Sequence, residues 1–225
     1  MRFLQKFFGA FSFAVLSLTA MSLVHAADVK GSGYTTLSEP QPTDSGKKIE
    51  VTEFFWYGCP HCFSFDPSLT AWVKKHGDTI NFRRVPVGFR DTFVPQQKAY
   101  YALEALGKIE LLHSKIFDAI HKERQKLDTE AQLTEFVAKN GVDKAKFTEA
   151  FNSFSVQAKV TRATKMQTSY RIDGVPNVAI DGRYMTSPSK MGELLKSDSN
   201  EADLMAATTK VMDSLIEKVK STAKK

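Results

Sequence analysis

Nine residues, KIEVTEFFW from Lys48 to Trp56, set the first constraint on this chain. Ile49, Val51 and Thr52 are β-branched and favour an extended backbone. Phe54, Phe55 and Trp56 follow in succession, so the end of the strand is apolar on both faces. Side chains of a strand alternate between faces, and a strand apolar on both belongs at the centre of a sheet covered on two sides. The residues around it supply the cover. Pro60 to His76 reads as a helix, because Cys62, Phe65, Leu69, Trp72 and Val73 share one stripe at helical spacing. Pro67 inside it predicts a kink. Thr79 to Val87 reads as a second strand, with Pro86 near its end.

A helical block follows. Tyr100, Leu103 and Leu106 form one stripe, and Ile109, Leu112, Ile116 and Ile120 the next. Leu133, Phe136 and Val137 form a third, closed by the helix stop Asn140-Gly141. Phe147, Ala150, Phe151 and Phe154 form a fourth, and a further helical stretch leads to about Tyr170. The period then returns to that of strands. Asn177–Ile180 and Arg183–Met185 flank Asp181-Gly182, a hairpin turn signal. A last helix carries Leu204, Val211, Leu215 and Val219 on one side. Sheet elements on both sides of a helical block predict a small α/β domain with an all-helical insertion. The expected divisions are 27–91 and 166–225 for the α/β domain and 92–165 for the insertion.

The first 26 residues read differently. Arg2 and Lys6 precede an apolar stretch richest from Phe11 to Leu18, which ends at Val24-His25-Ala26 with small residues at −3 and −1. This is the layout of a secretory signal peptide cleaved after Ala26. The stretch is also long enough for an uncleaved membrane anchor. Cleavage leaves a soluble, exported chain from Ala27, opening on a Gly-, Ser-, Thr- and Pro-rich extended lead-in to Lys47, in a compartment where disulfides persist. The formal charge of +6 becomes +4 without Arg2 and Lys6, and no basic face or stripe is concentrated enough for a nucleic-acid binder.

The only two cysteines are Cys59 and Cys62, in Cys-Pro-His-Cys, just where the first long strand ends and a helix begins. A structural bridge across so short a loop would contribute only about 2 kcal/mol by chain entropy, and a chain this long has little use for it. A structural zinc wants four ligands, yet there is no third cysteine, and His76, His113 and His121 are not spaced as a ligand pair. Haem attachment needs Cys-x-x-Cys-His, and residue 63 is Phe. The placement suits a reaction centre instead. Cys59 falls at a helix N-terminus, where free N–H groups and the helix dipole favour a thiolate. His61 can add positive charge or a hydrogen bond. Cys62 lies one turn on, along the apolar stripe. One exposed nucleophile of low pKa beside one sheltered resolving thiol is the arrangement that thiol–disulfide exchange requires.

Cys59-Pro60-His61-Cys62, the preceding Glu53-Phe54-Phe55, Tyr34-Thr35-Thr36-Leu37 and Gly174-Val175-Pro176 together resemble the DsbA family, periplasmic thiol:disulfide oxidoreductases with a thioredoxin fold. The element order resembles that family along essentially the whole exported chain, helical insertion included. The resemblance implies the following roles. Cys59 is the nucleophile and Cys62 the resolving cysteine of a redox-active Cys59–Cys62 disulfide. Pro60 and His61 tune its poise. Glu53 is a buried acid beneath it. Pro176 is a cis-proline facing it, with Val175 beside it offering backbone to substrate. No cofactor or metal is implied. Reduced exported proteins are the implied substrates, and a DsbB-like quinone-linked membrane protein the implied reoxidant of a monomer. Two departures stand out: Gly58 before the nucleophile, expected to loosen the turn, and Pro67 in the helix. An isomerase or reductase of the same fold, a non-catalytic peptide-binding helper and a glutathione-transferase-like isomerase are the competing readings. The last places serine at the nucleophile position.

Overall fold

The computed structural model describes residues 33–195 and 199–223. The signal peptide expected over residues 1–26 lies outside the described residues. The central strand forms as its sequence requires. β2 spans Ile49–Phe55, and all seven of its residues are buried. It sits inside a five-stranded sheet of order β1-β5-β4-β2-β3, with β1 at Thr35–Thr36, β3 at Ile80–Pro86, β4 at Asn177–Ile180 and β5 at Tyr184–Thr186. β3 runs parallel to β2, and β4 antiparallel. A parallel neighbour needs a crossover helix, which is α1, Pro60–His76. α1 continues across Pro67, whose missing N–H leaves one turn without its backbone bond.

Both faces of the sheet are covered. Ile49 and Val51 join Val178 and Ile180 in a cluster with Phe65, Leu69 and Trp72 of α1. The long C-terminal helix α8, Glu201–Ala223, closes this cluster with Val211, Met212, Leu215 and Ile216. Trp72 Nε1 donates to Asp213 at 2.7 Å and His76 meets the same carboxylate at 2.8 Å, which fixes α8 along α1. The short helix α7, Pro188–Leu194, packs against α8. Phe54, Phe55, Ala179 and Met185 belong to a second cluster with the helical block. That block comprises α2 (Val94–Ala105), α3 (Ile109–His121), α4 (Glu130–Lys139), α5 (Lys144–Phe151) and α6 (Phe154–Ser169), all between β3 and β4. The result is a thioredoxin fold carrying an all-helical insertion.

Two local features depart from the sequence reading. The lead-in does not simply run extended: Thr35 and Thr36 pair antiparallel with Met185 and Tyr184 and become the sheet's edge strand. Phe154 is not the end of the stripe begun by Phe147 and Phe151. The chain breaks at Asn152, and Ser153 caps a new helix through Val156 N–H. That break resets the helical phase and leaves Phe154 at the surface, 88% exposed.

The hairpin forms with Asp181 and Gly182 both at positive φ, 55° and 62°, as a two-residue primed turn requires. Gly182 also receives the lead-in, accepting a 2.8 Å hydrogen bond from Gln41 N–H. A Cβ at this glycine would run into the Gln41 carbonyl oxygen. Gly182→Ala is therefore expected to destabilise the protein by about 2 kcal/mol or more, from the left-handed conformation alone plus displacement of the lead-in. Urea unfolding of the variant beside the parent chain measures this; an unchanged midpoint would refute it.

Candidate active site

Cys59 is the N-cap of α1. Its side chain accepts from Cys62 N–H at 3.4 Å, and Pro60 is the first helical residue. Proline fits there because its missing N–H is one the helix would not have used. The turn into the helix is closed by Cys59 N–H on the Trp56 carbonyl, 3.0 Å, and opened into α1 by Phe63 N–H on the Cys59 carbonyl, 3.1 Å. Gly58 was expected to loosen this turn, and the place its Cβ would occupy is taken by a neighbouring ring. The Trp56 indole lies so close over it that a Cβ would collide with the ring. The indole in turn stacks on Phe93, centroids 3.6 Å apart and 8° from parallel.

Both cysteines are free thiols. Cys59 is drawn down to about 6, first by the hydrogen bond from the Cys62 thiol. Burial opposes this, while the backbone N–H groups of Cys62 and His61 and the charge on His61 add to it. Cys62 moves the other way, well above an ordinary thiol, chiefly because it is buried and then because it is the donor to Cys59. The sequence reading of an exposed nucleophile needs correcting. Cys59 is only 7% exposed, against 0% for Cys62, because the turn and the facing loop both cover it. His61 contributes its backbone N–H and its charge, but its ring Nδ1 is bonded to Glu201 on α8 at 2.9 Å. Glu201 was not singled out from the sequence, being 140 residues away in the chain.

The facing loop holds a cis Val175–Pro176 bond. The Cys59 thiol donates to the Val175 carbonyl at 3.4 Å, so the loop and the sulfur are in contact. From this point a groove of about 1100 Å³ runs past His61, Tyr170, Met185, Glu201 and Met205. Its walls mix apolar and polar side chains and include the edge strand β1.

Beneath the cysteines lies a buried polar chain. Glu53 on β2 is 1% exposed and accepts from Arg84 Nε on β3 at 2.8 Å, where the parallel register sets the two residues side by side. Arg84 Nη2 also reaches Asp66 of α1 at 2.8 Å. Asp66 takes a further hydrogen bond from His113 Nε2, 3.2 Å, and His113 Nδ1 meets the Tyr57 hydroxyl at 2.9 Å. Burial raises Glu53 to about 7, more than Arg84 lowers it. Burial also pushes Asp66 up, but the bond from His113 and the Arg84 charge outweigh it and hold the carboxyl below its usual range. Glu53 is thus a buried acid, as the family resemblance implied. Arg84, Asp66 and His113 were missed. Adjacent Arg83 and Arg84 opposite Glu50 and Glu53 carried a signal, since buried carboxylates need partners. Arg83 does pair Glu50, at 2.6 Å. Among the described residues no cluster of His, Cys, Asp or Glu is arranged to hold a metal ion.

A raised carboxyl binds its proton more tightly in the folded chain than in the unfolded one. Its contribution to stability is therefore present below the unfolded value, 4.5, and is lost as pH rises through about 7. Glu53→Gln removes this loss. We expect the stability difference between Glu53→Gln and the parent chain to shift in favour of the variant by roughly 1–3 kcal/mol between pH 4.5 and pH 7.5. Urea titrations across that range measure it, and parallel pH profiles would contradict it.

A strand–turn–helix with its nucleophile as helix cap, a cis X-Pro facing the sulfur and an acid under the pair define a narrow class of proteins, and comparison with known ones reaches the same class. Residues 50–198 match the model of the DSBA-like thioredoxin domain. The thiol:disulfide interchange protein DsbA of Burkholderia cepacia is 44% identical over 195 residues, spanning 86% of this chain and 87% of that one. The protein of the same name from Pseudomonas aeruginosa is 35% identical over 212 residues, 94% of this chain and 95% of its own. The crystal structure of Pseudomonas aeruginosa DsbA (TM-score 0.77, 36% identity, 87% of this chain and 96% of that one) and the solved structure of the oxidoreductase NmDsbA1 from N. meningitidis (TM-score 0.71, 27% identity, 88% and 96%) share the fold. By site, sequence and architecture together, the chain belongs to the DsbA family of thiol:disulfide oxidoreductases.

Proposed function

We propose that Cys59 carries the reaction of this disulfide oxidant, with newly exported periplasmic proteins as its substrates. The observation that supports this most directly is the split between the two sulfurs: one drawn down to about 6, the other pushed well above an ordinary thiol, within one turn of helix. In the oxidised enzyme a substrate thiolate attacks Cys59. The substrate S–Cys59 bond forms, the Cys59–Cys62 bond breaks, and the electron pair leaves on Cys62. That sulfur takes up a proton, because a thiolate in its fully buried site is disfavoured. Glu53, near its midpoint at neutral pH and electrostatically coupled to both cysteines, is the proposed local proton donor. A second substrate thiolate then attacks the substrate's own sulfur in the mixed disulfide, and Cys59 departs as a thiolate. The substrate is oxidised by two electrons and the enzyme holds the dithiol. Each pH unit by which the Cys59 thiolate is stabilised favours this reduced product by about 1.4 kcal/mol, which is why a low value makes the pair an oxidant.

Val175 and Pro176 are the proposed substrate-docking residues: their backbone faces the sulfur, and an extended peptide could bond to the loop as an added strand. Pro60 and His61 are the proposed tuning residues, acting through the helix start and through the N–H and charge directed at Cys59. A signal peptide cleaved after Ala26 would deliver the chain to the periplasm. A quinone-linked membrane protein resembling DsbB would return the dithiol to the disulfide, and the enzyme would work as a monomer.

The test is the equilibrium of Cys59–Cys62 with graded glutathione buffers, followed by the fluorescence of Trp56, together with turnover on a reduced substrate protein. The pair should stay reduced until the buffer is strongly oxidising. Cys59→Ser should lose exchange completely, while Cys62→Ser should accumulate the mixed disulfide. Turnover by Cys59→Ser, or a disulfide that persists in reducing buffer, would overturn the reading.

A further inference from the structure

One helix of the insertion touches both flanks of the Cys-Pro-His-Cys segment, and the reaction as described makes no use of it. His121, the last residue of α3, meets the Tyr57 carbonyl through Nε2 at 2.8 Å. A carbonyl only accepts, so Nε2 carries the hydrogen. The same ring stacks on Phe63, centroids 4.8 Å apart and 11° from parallel. Tyr57 stands two residues before Cys59, and Phe63 directly after Cys62. Two turns earlier on α3, His113 takes the other end of Tyr57. Asp66 is ionised and accepts from Nε2, which leaves Nδ1 to accept the Tyr57 O–H at 2.9 Å. Burial holds His113 below the usual imidazole range, in keeping with this neutral tautomer. Tyr57 is thus gripped at hydroxyl and carbonyl by one helix, and the grip extends across the motif to Phe63.

We infer that His121 and His113 are positioning residues by which the helical insertion holds the turn around Cys59 and selectively stabilises the reduced enzyme. The inference rests on the oxidant reading above. In the oxidised form a covalent ring joins Cys59 to Cys62 and fixes the turn by itself. In the reduced form that ring is open. The Cys59 sulfur then stays under the N–H groups of His61 and Cys62 only if the backbone from Tyr57 to Phe63 is held from outside. The hydrogen bonds 59 N–H to 56 C=O and 63 N–H to 59 C=O are local to residues 56–63. They cannot anchor it to the rest of the fold, whereas α3 does.

The test uses the whole protein and three variants. His121→Ala removes both the hydrogen bond and the stack, His121→Phe keeps a ring for Phe63 but no donor, and Tyr57→Phe removes only the hydroxyl bonded to His113. The readouts are the glutathione equilibrium constant, the midpoint of the Cys59 thiolate absorbance and the urea stability of each redox form. His121→Ala should make the disulfide more favourable by about five- to tenfold, equivalent to one hydrogen bond. It should raise the thiolate midpoint and destabilise the reduced form more than the oxidised one. His121→Phe and Tyr57→Phe should each move the equilibrium part of the way. Equal loss of stability in both forms, with the equilibrium unchanged, would make the two histidines ordinary scaffold and overturn the inference. If His121→Ala does not fold, an unchanged equilibrium in the other two variants overturns it equally. The parent chain in the same buffers separates the two levels: if it is not an oxidant, the functional reading fails; if it is and the variants match it, only this inference fails.

Discussion

Arg84 is the residue on which the catalytic end of the molecule depends. It lies between two carboxylates, Glu53 and Asp66, that the sheet and the first helix bring into the interior. Taking those groups out of water costs several kcal/mol each, and an uncompensated charge left by removing one partner costs about 3–5 kcal/mol. The guanidinium is what allows a buried strand to run beneath the cysteines with an acid on it. Its fork geometry serves both carboxylates at once, which a lysine could not reproduce. Burial wins at Glu53 and pairing wins at Asp66, so two acids of similar intrinsic strength are displaced in opposite directions. One can carry a proton; the other stays charged and anchors His113.

The same competition separates the two sulfurs. Cys59 sits where backbone N–H groups converge, and it receives the Cys62 hydrogen. Cys62 is on the buried stripe of α1 and has no such environment. Helix phase sets much of the difference: position zero of the helix offers unpaired donors, and position three offers the core. Chemistry at this site is therefore a property of where the strand stops and the helix starts, and the aromatic residues Trp56, Phe93 and Phe63 keep that junction in place.

Much of this was legible in sequence, for identifiable reasons. The central strand, the α1 stripe, the Asp181-Gly182 hairpin and the last helix are written in local periods and turn chemistry. So was the cysteine pair's placement at a helix start. The expectations that failed were set by phase or by distant partners. Phe154 followed the helical count but lay beyond a cap that restarted it. Thr35 and Thr36 are too short a strand to show a period, and exist because β5 offers an edge. Cys59 looked exposed because the loop covering it lies 116 residues away. Glu201, His113 and His121 act through pairings with no local pattern at all, and Arg84 showed only as one of two adjacent arginines in a strand. Glu53 and Pro176 were placed by family resemblance, and their surroundings emerged only from the fold.

The strand order has a consequence for how such a chain reaches its final form. β1 is the first strand in the sequence and β5 the last, yet Thr36 pairs with Tyr184. β4, which lies beside β2 in the sheet, comes in the sequence only after the whole helical block. A chain emerging from its N-terminus can therefore assemble β2, α1 and β3 early, but its first strand must wait for nearly the last. Pairings of such long sequence separation form slowly. The groove wall thus draws on the far end of the chain, through β5 for its edge strand and through Glu201 and Met205 of α8, whereas the thiols and the acid beneath them sit on elements drawn from residues 49–86 alone.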